Sequence, residues 1–150
     1  MRGFAAVCAV LALGCGGDDH VSRVFVTASK YDGNLGGVGG GDAACASAAE
    51  ASGRLKGSHW IAWLSDAQNN AIDRLQDAGP WYRPDGTTKV FEDKAHVAMS
   101  PAMLLAPIGV DELGTASTAF VWTGTLSRGL RGTSTCADWW SNDALTMFAS

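Results

Sequence analysis

Arg23-Val-Phe-Val-Thr-Ala-Ser29, followed by Tyr31-Asp-Gly-Asn-Leu-Gly-Gly-Val-Gly-Gly-Gly41 and Asp42-Ala-Ala-Cys-Ala-Ser-Ala-Ala-Glu-Ala-Ser-Gly53, is the stretch on which the fold turns. In the first segment Val24, Val26 and Ala28 alternate with Phe25 and Thr27, the two-residue period of a strand. Gly33 to Gly41 holds six glycines in nine positions, which predicts a tightly turning loop. Asp42 is a natural N-cap and Gly53 a natural C-cap for a helix over 43–52. Cys45, Ala48, Ala49 and Ser52 would share its inner face, small enough to lie close against a sheet.

Outward from there, Trp60-Ile-Ala-Trp-Leu64 reads as a second strand. Ser65-x-x-Gln68 has the form of a capping box opening a second helix, with Ala67, Ala71, Ile72 and Leu75 as its buried stripe, ended by Gly79-Pro80. Trp81-Tyr-Arg, the turn Pro84-Asp-Gly86 and Thr87 to Phe91 predict a hairpin. Beyond it the chain is irregular to Trp139-Trp140. Helices early and short strands with long loops late make an α+β pattern and not a βαβ repeat.

Upstream, Gly3 to Leu13 carries no charge and is too short to span a bilayer, but has the size of a signal-peptide core. It ends Leu11-Ala-Leu-Gly-Cys15, a lipobox-like run with a small residue before the cysteine, and then turns polar at Gly16-Gly-Asp-Asp19. The expectation is therefore a signal peptide over 1–14, lipidation at Cys15, a tether over 15–22 and one domain over 23–150. Such a chain would be extracytoplasmic, lipid-anchored to the cell envelope at an outer membrane, or secreted. Without residues 1–14 it has 10 basic against 15 acidic residues and a net charge of −5, with no basic cluster, which argues against nucleic acid as a partner. Setting aside Cys8 in the leader and Cys15, Cys45 and Cys136 are the two that could pair. The pairing itself is not readable from sequence.

Taken in order, the Asp-Gly-Asn-Leu-Gly-Gly motif after the first strand, Trp63-Leu-Ser-Asp66, Pro107-Ile-x-Val-Asp-Glu112 and Trp122-Thr-Gly124 resemble a family of bacterial surface domains of unknown function. That family is related in fold to C-type lectins and to the endostatin module of collagens, and the resemblance covers nearly all of residues 23–140. It implies two helices flanking a small antiparallel sheet, a long-loop region forming the binding surface, and a bridge from the first-helix cysteine to one in the last strand. The family pattern continues past the Cys136 segment into final strands, whereas this chain stops at Ser150, so the last strands are expected to be missing or divergent. Strand 24–28 would then keep an unpaired edge.

The chemistry on offer is sparse. Asp111, Glu112, Asn142 and Asp143 carry the oxygens a calcium site would need, but the proline triplet of sugar-reading lectins is absent and Trp140-Ser-Asn-Asp143 has an inserted serine. The plainer reading is that these groups cap loops. Gly39-x-Gly41-x-x-Ala44 mimics a dinucleotide fingerprint, yet it starts ten residues after the strand and places Asp42 where phosphate would sit. Six tryptophans are many for this length. Trp60, Trp63 and Trp122 suit the core, while among Trp81, Trp139 and Trp140 one at the surface could stack on a sugar or anchor a protein. His20, His59 and His96 show no ligand spacing, and no nucleophile elbow occurs. The expectation is a non-enzymatic, cofactor-free binding domain for a glycan or an envelope protein, using loops between about 79 and 143, with calcium the one candidate cofactor. The alternatives are an envelope interaction module without a small ligand, or a degenerate truncated copy.

Overall fold

The computed structural model describes residues 5–11, 22–55, 59–76 and 79–143. Cys15, the tether to residue 21 and the final residues 144–150 lie outside them. Five strands form one mixed sheet: β1 (Val7–Leu11), β2 (Ser22–Val26), β3 (His59–Ala62), β4 (Trp81–Tyr82) and β5 (Lys89–Phe91), in the order β3-β1-β2-β4-β5. The α+β class is as expected. The sheet is not purely antiparallel, because β4 runs parallel to β2 through the pairs Ser22–Trp81 and Arg23–Tyr82.

Residues expected to be a leader supply β1. It pairs antiparallel with β2 on one side (Cys8 opposite Phe25) and with β3 on the other (Cys8 opposite Ala62). Thr27 Oγ1 accepts from Ala6 N at 2.8 Å, extending the seam. The fold thus begins well before residue 23, and a chain cut before Cys15 would lose the strand between β2 and β3. Strand β2 has no unpaired edge: β1 covers one side, β4 the other, and Val26 N donates to Val110 O at 2.9 Å.

Alternation in the strands builds two cores, one on each face. Cys8, Phe25, Trp60 and Ala62 point to one side, where α1 (Gly37–Ser52) contributes Cys45, Ala48 and Ala49. Ala9, Val24 and Ile61 point to the other, against Ile72, Leu75, Trp81, Val90 and Val97. Phe25 and Trp60 meet edge to face, with centroids 4.9 Å apart.

Helix α1 ends at Gly53 in the left-handed region, as expected, but starts six residues earlier than Asp42 predicts. Gly37 and Gly41 are there for contact: a Cβ on Gly41 would come within 2.6 Å of Leu64 Cδ1, and one on Gly37 within 3.3 Å of the Trp140 ring. Close packing outweighs their low helix propensity. Freed from capping, Asp42 takes Ala62 N at 2.7 Å and pairs with Arg74 at 2.6 Å, fastening α1 to β3 and the segment beyond it. The second helix shrinks to one turn, α2 (Ala71–Arg74). Ser65 is no capping-box residue: its Oγ accepts from Ala71 N at 2.9 Å, while Asp66 Oδ1 closes a turn with the amides of Gln68 and Asn69. Ala71, Ile72 and Leu75 are buried as expected, and Ala67 is exposed. Two further one-turn segments follow, α3 (Lys94–Val97) and α4 (Cys136–Trp139), with a short 3₁₀ turn at Ser127–Gly129.

Cys45 is bridged to Cys8, with Cα atoms 5.5 Å apart, and Cys136 is a buried free thiol. This corrects the expected Cys45–Cys136 pairing. Once β1 occupies the sheet position facing α1, Cys8 is the sulfur within bonding geometry of Cys45. Among the described residues no helix is long and apolar enough to cross a membrane.

Candidate functional site

The segment Cys136–Trp139 is a turn of left-handed helix: φ is +52°, +52°, +55° and +69° at Cys136, Ala137, Asp138 and Trp139, none of them glycine. Such a conformation costs about 1–2 kcal/mol per residue and persists only where the surroundings enforce it. Here Trp139 is the anchor. Its ring is buried and its Nε1 donates to Ser65 O at 2.8 Å, while Leu35 N and Gly36 N donate to Trp139 O at 2.9 and 3.0 Å. Asp138 Oδ1 accepts from Ala67 N at 2.8 Å and ties in the 66–68 turn.

The consequence is that Trp140 faces outward, 66% exposed, with its indole resting on Gly37, where a Cβ would lie 3.3 Å from the ring. Around it Gly36 to Gly39, Asp66, Gln68 and Asp138 enclose an open depression of about 390 Å³. The Gln68 carboxamide and Asp138 Oδ2 make no hydrogen bond among the described residues, whereas Asp66 is consumed by its own turn. An aromatic plate beside an amide and a carboxylate can stack an apolar ring face and bond its hydroxyls. Of the glycines expected to form a loop, Gly36, Gly37 and Gly39 line this depression and Gly33 lies against Cys136.

The other predicted site residues are elsewhere. Asp111 and Glu112 are each 8% exposed. Asp111 Oδ1 accepts from Leu113 N and Thr115 N, and Glu112 Oε2 accepts from Ala28 N at 2.8 Å, so both hold loops. Asn142 donates to Asp32 Oδ2, and Asp143 N donates to Ser141 Oγ. The expected calcium oxygens therefore do not converge, and no group of three or more His, Cys, Asp or Glu side chains able to hold a metal occurs among the described residues. Cys136 is no reactive thiolate: burial pushes its thiol up, and Asp32 adds to the effect. His96 and Asp93 meet at 2.7 Å, but Asp93 is the N-cap of α3, and the amide of His96 holds its carboxyl below the usual range.

Searches against protein-family models, curated proteins and solved structures return no match to this chain.

Trp140 was legible in advance as one of three loop tryptophans. Gln68, Asp138 and the glycines were not, because nothing local signals that residues about 70 apart share a depression.

Proposed function

We propose that the protein is an extracytoplasmic binding domain of C-type-lectin-like kind that takes a glycan on Trp140. The observation that carries this reading is an exposed indole lying on Gly37 beside the Gln68 carboxamide and Asp138 Oδ2, neither hydrogen-bonded among the described residues, held out by a strained turn of the sort that clusters at ligand sites. A lectin-like arrangement is supported by the long helix on one sheet face and the irregular segment over 92–135. The Cys8–Cys45 bridge favours an oxidising compartment. No cation enters this reading, since Asp111 and Glu112 are occupied in loops.

Export fits a chain that keeps residues 7–11 in its sheet. The lipobox-like run to Cys15 favours a second reading, in which cleavage and acylation remove β1 and something else fills its place. The intact mass of the exported protein separates them: retention of Cys8 supports the first, a diacylglyceryl Cys15 at the N-terminus the second. For the site itself, a glycan array is run with the oxidised full chain and with Trp140→Ala. Hits that vanish with the indole support the assignment. An empty array, or hits indifferent to Trp140→Ala, would refute it, and capture of envelope proteins alone would point to the interaction-module alternative.

A further inference from the structure

The opposite face of the sheet holds a cavity of about 270 Å³, roofed by the loops of 97–129 and floored by Val7, Ala9 and Val24 of β1 and β2. Its walls are apolar, including Trp63, Leu75, Phe91 and Val97. A dry apolar cavity of about 150 Å³ takes benzene, so this one has room for about ten non-hydrogen atoms.

Three observations describe the occupant. First, Trp81 lines the cavity, is 2% exposed, and its buried Nε1 has no hydrogen-bond partner. A donor so placed is costly unless an acceptor reaches it, and the described residues supply none. Second, the side chains of the lining that carry a polar atom are Trp63, Trp81, Ser127 and Arg128, all donors and none of them an acid. Arg128 is exposed at the mouth and makes no ion pair among the described residues, so the field there favours negative charge. Third, the rim is itself apolar and open. Met99 is 47% and Leu126 63% exposed, and Met103, Leu104 and Leu105 continue the patch beside Met99. Gly129 seats this rim on the sheet side, since a Cβ there would lie 2.6 Å from Ile72 Cβ and 3.0 Å from the Trp63 ring.

We infer that this cavity binds a small apolar carboxylate, a medium-chain fatty acid or an aromatic acid of similar bulk, with its hydrocarbon among the apolar walls and its carboxylate paired with Arg128 and, once the occluded Trp81 ring turns toward the cavity, accepting from Trp81 Nε1. The site lies across the sheet from Trp140 and does not depend on the glycan reading.

Titration calorimetry on the oxidised full chain tests it with octanoate, 1-octanol and octylamine. Octanoate is expected to bind one to one with Kd below about 1 mM, and octylamine at least about tenfold more weakly because its charge opposes Arg128. Trp81→Phe keeps the ring and removes the donor, weakening octanoate about fivefold, the worth of one hydrogen bond. Arg128→Gln removes the preference for octanoate over octanol. Arg128 is exposed, so this variant keeps the test open if Trp81→Phe does not fold. Ala102→Trp, which fills the mouth, abolishes binding of all three. No saturable octanoate binding to the folded chain, or equal affinity for the three probes, would overturn the inference. Loss of octanoate binding in Trp140→Ala would place the ligand on the wrong face and overturn it as well.

Discussion

Replacing Cys8 by alanine tests whether the strand drawn from the first residues belongs to the domain. The Cys8–Cys45 bridge spans a sequence separation of 37. In the chain-entropy treatment, closing a loop of that length removes about 13 cal/mol/K from the unfolded ensemble, or about 3.8 kcal/mol at 25 °C. For a single domain with a total stability of about 5–15 kcal/mol, this is a large fraction. With a urea m-value of about 1.5 kcal/mol/M, the midpoint of oxidised Cys8→Ala should fall about 2.5 M below that of the oxidised parent, followed by tryptophan fluorescence. Reduction should lower the parent to the same midpoint and leave the variant unmoved. Cys136→Ala should cost only about 1–2 kcal/mol, for a small buried side chain lost from the core. The rival pairing, Cys45 with Cys136, closes about 90 residues and makes the opposite forecast: Cys8→Ala harmless, and Cys136→Ala costing about 4.6 kcal/mol when oxidised. A wild-type midpoint for oxidised Cys8→Ala, or a Cys45–Cys136 peptide in a non-reducing digest, would refute the reasoning that places β1 in the sheet.

Asp42→Ala should lower stability by about 2 kcal/mol in thermal unfolding, since it orphans Ala62 N and leaves the mostly buried Arg74 without its carboxylate; an effect under about 0.5 kcal/mol would show that this fastening is idle. The glycines should divide: Gly41→Ala, pressed to 2.6 Å from Leu64, should cost about 1–3 kcal/mol, whereas Gly39→Ala, with nothing within 4 Å of its Cβ, should stabilise by up to about 1 kcal/mol, both read from urea midpoints. Asp85 is held at about 2 against an ordinary 3.8, chiefly by the amide of Thr88. Its folded-state pKa is depressed, so its contribution is complete above 3.8 and is lost as pH falls through about 2; melting temperature should drop over that window, and Asp85→Asn should flatten the drop.

Much of the frame follows from local sequence. The alternation around Val24 and Phe25 makes a strand with two buried faces wherever it is put. Gly53 ends α1 because the left-handed C-cap suits glycine, and Pro84-Asp-Gly86 turns β4 into β5 because Asp85 can bind the amides of Thr87 and Thr88. The net negative charge and the want of a basic cluster are likewise properties of composition alone.

What the tertiary structure decided are the matters of partnership. An uncharged apolar run such as Gly3 to Leu13 has the same local signature as a leader core and as a buried central strand; only the position between β2 and β3 shows Val7–Leu11 as a strand. That choice fixed the cysteine pairing, because the sulfur that meets Cys45 is whichever one the neighbouring strand presents to α1. Asp42 left its capping role once Arg74 and Ala62 came within reach, and Gly37 and Gly41 stand in the helix because Trp140 and Leu64 need the space. Trp139 and Trp140, adjacent in sequence and alike in chemistry, were parted into an anchor and a surface plate by the left-handed turn that buries one and turns the other out, and that turn is fastened to the fold by contacts with residues more than 70 positions away.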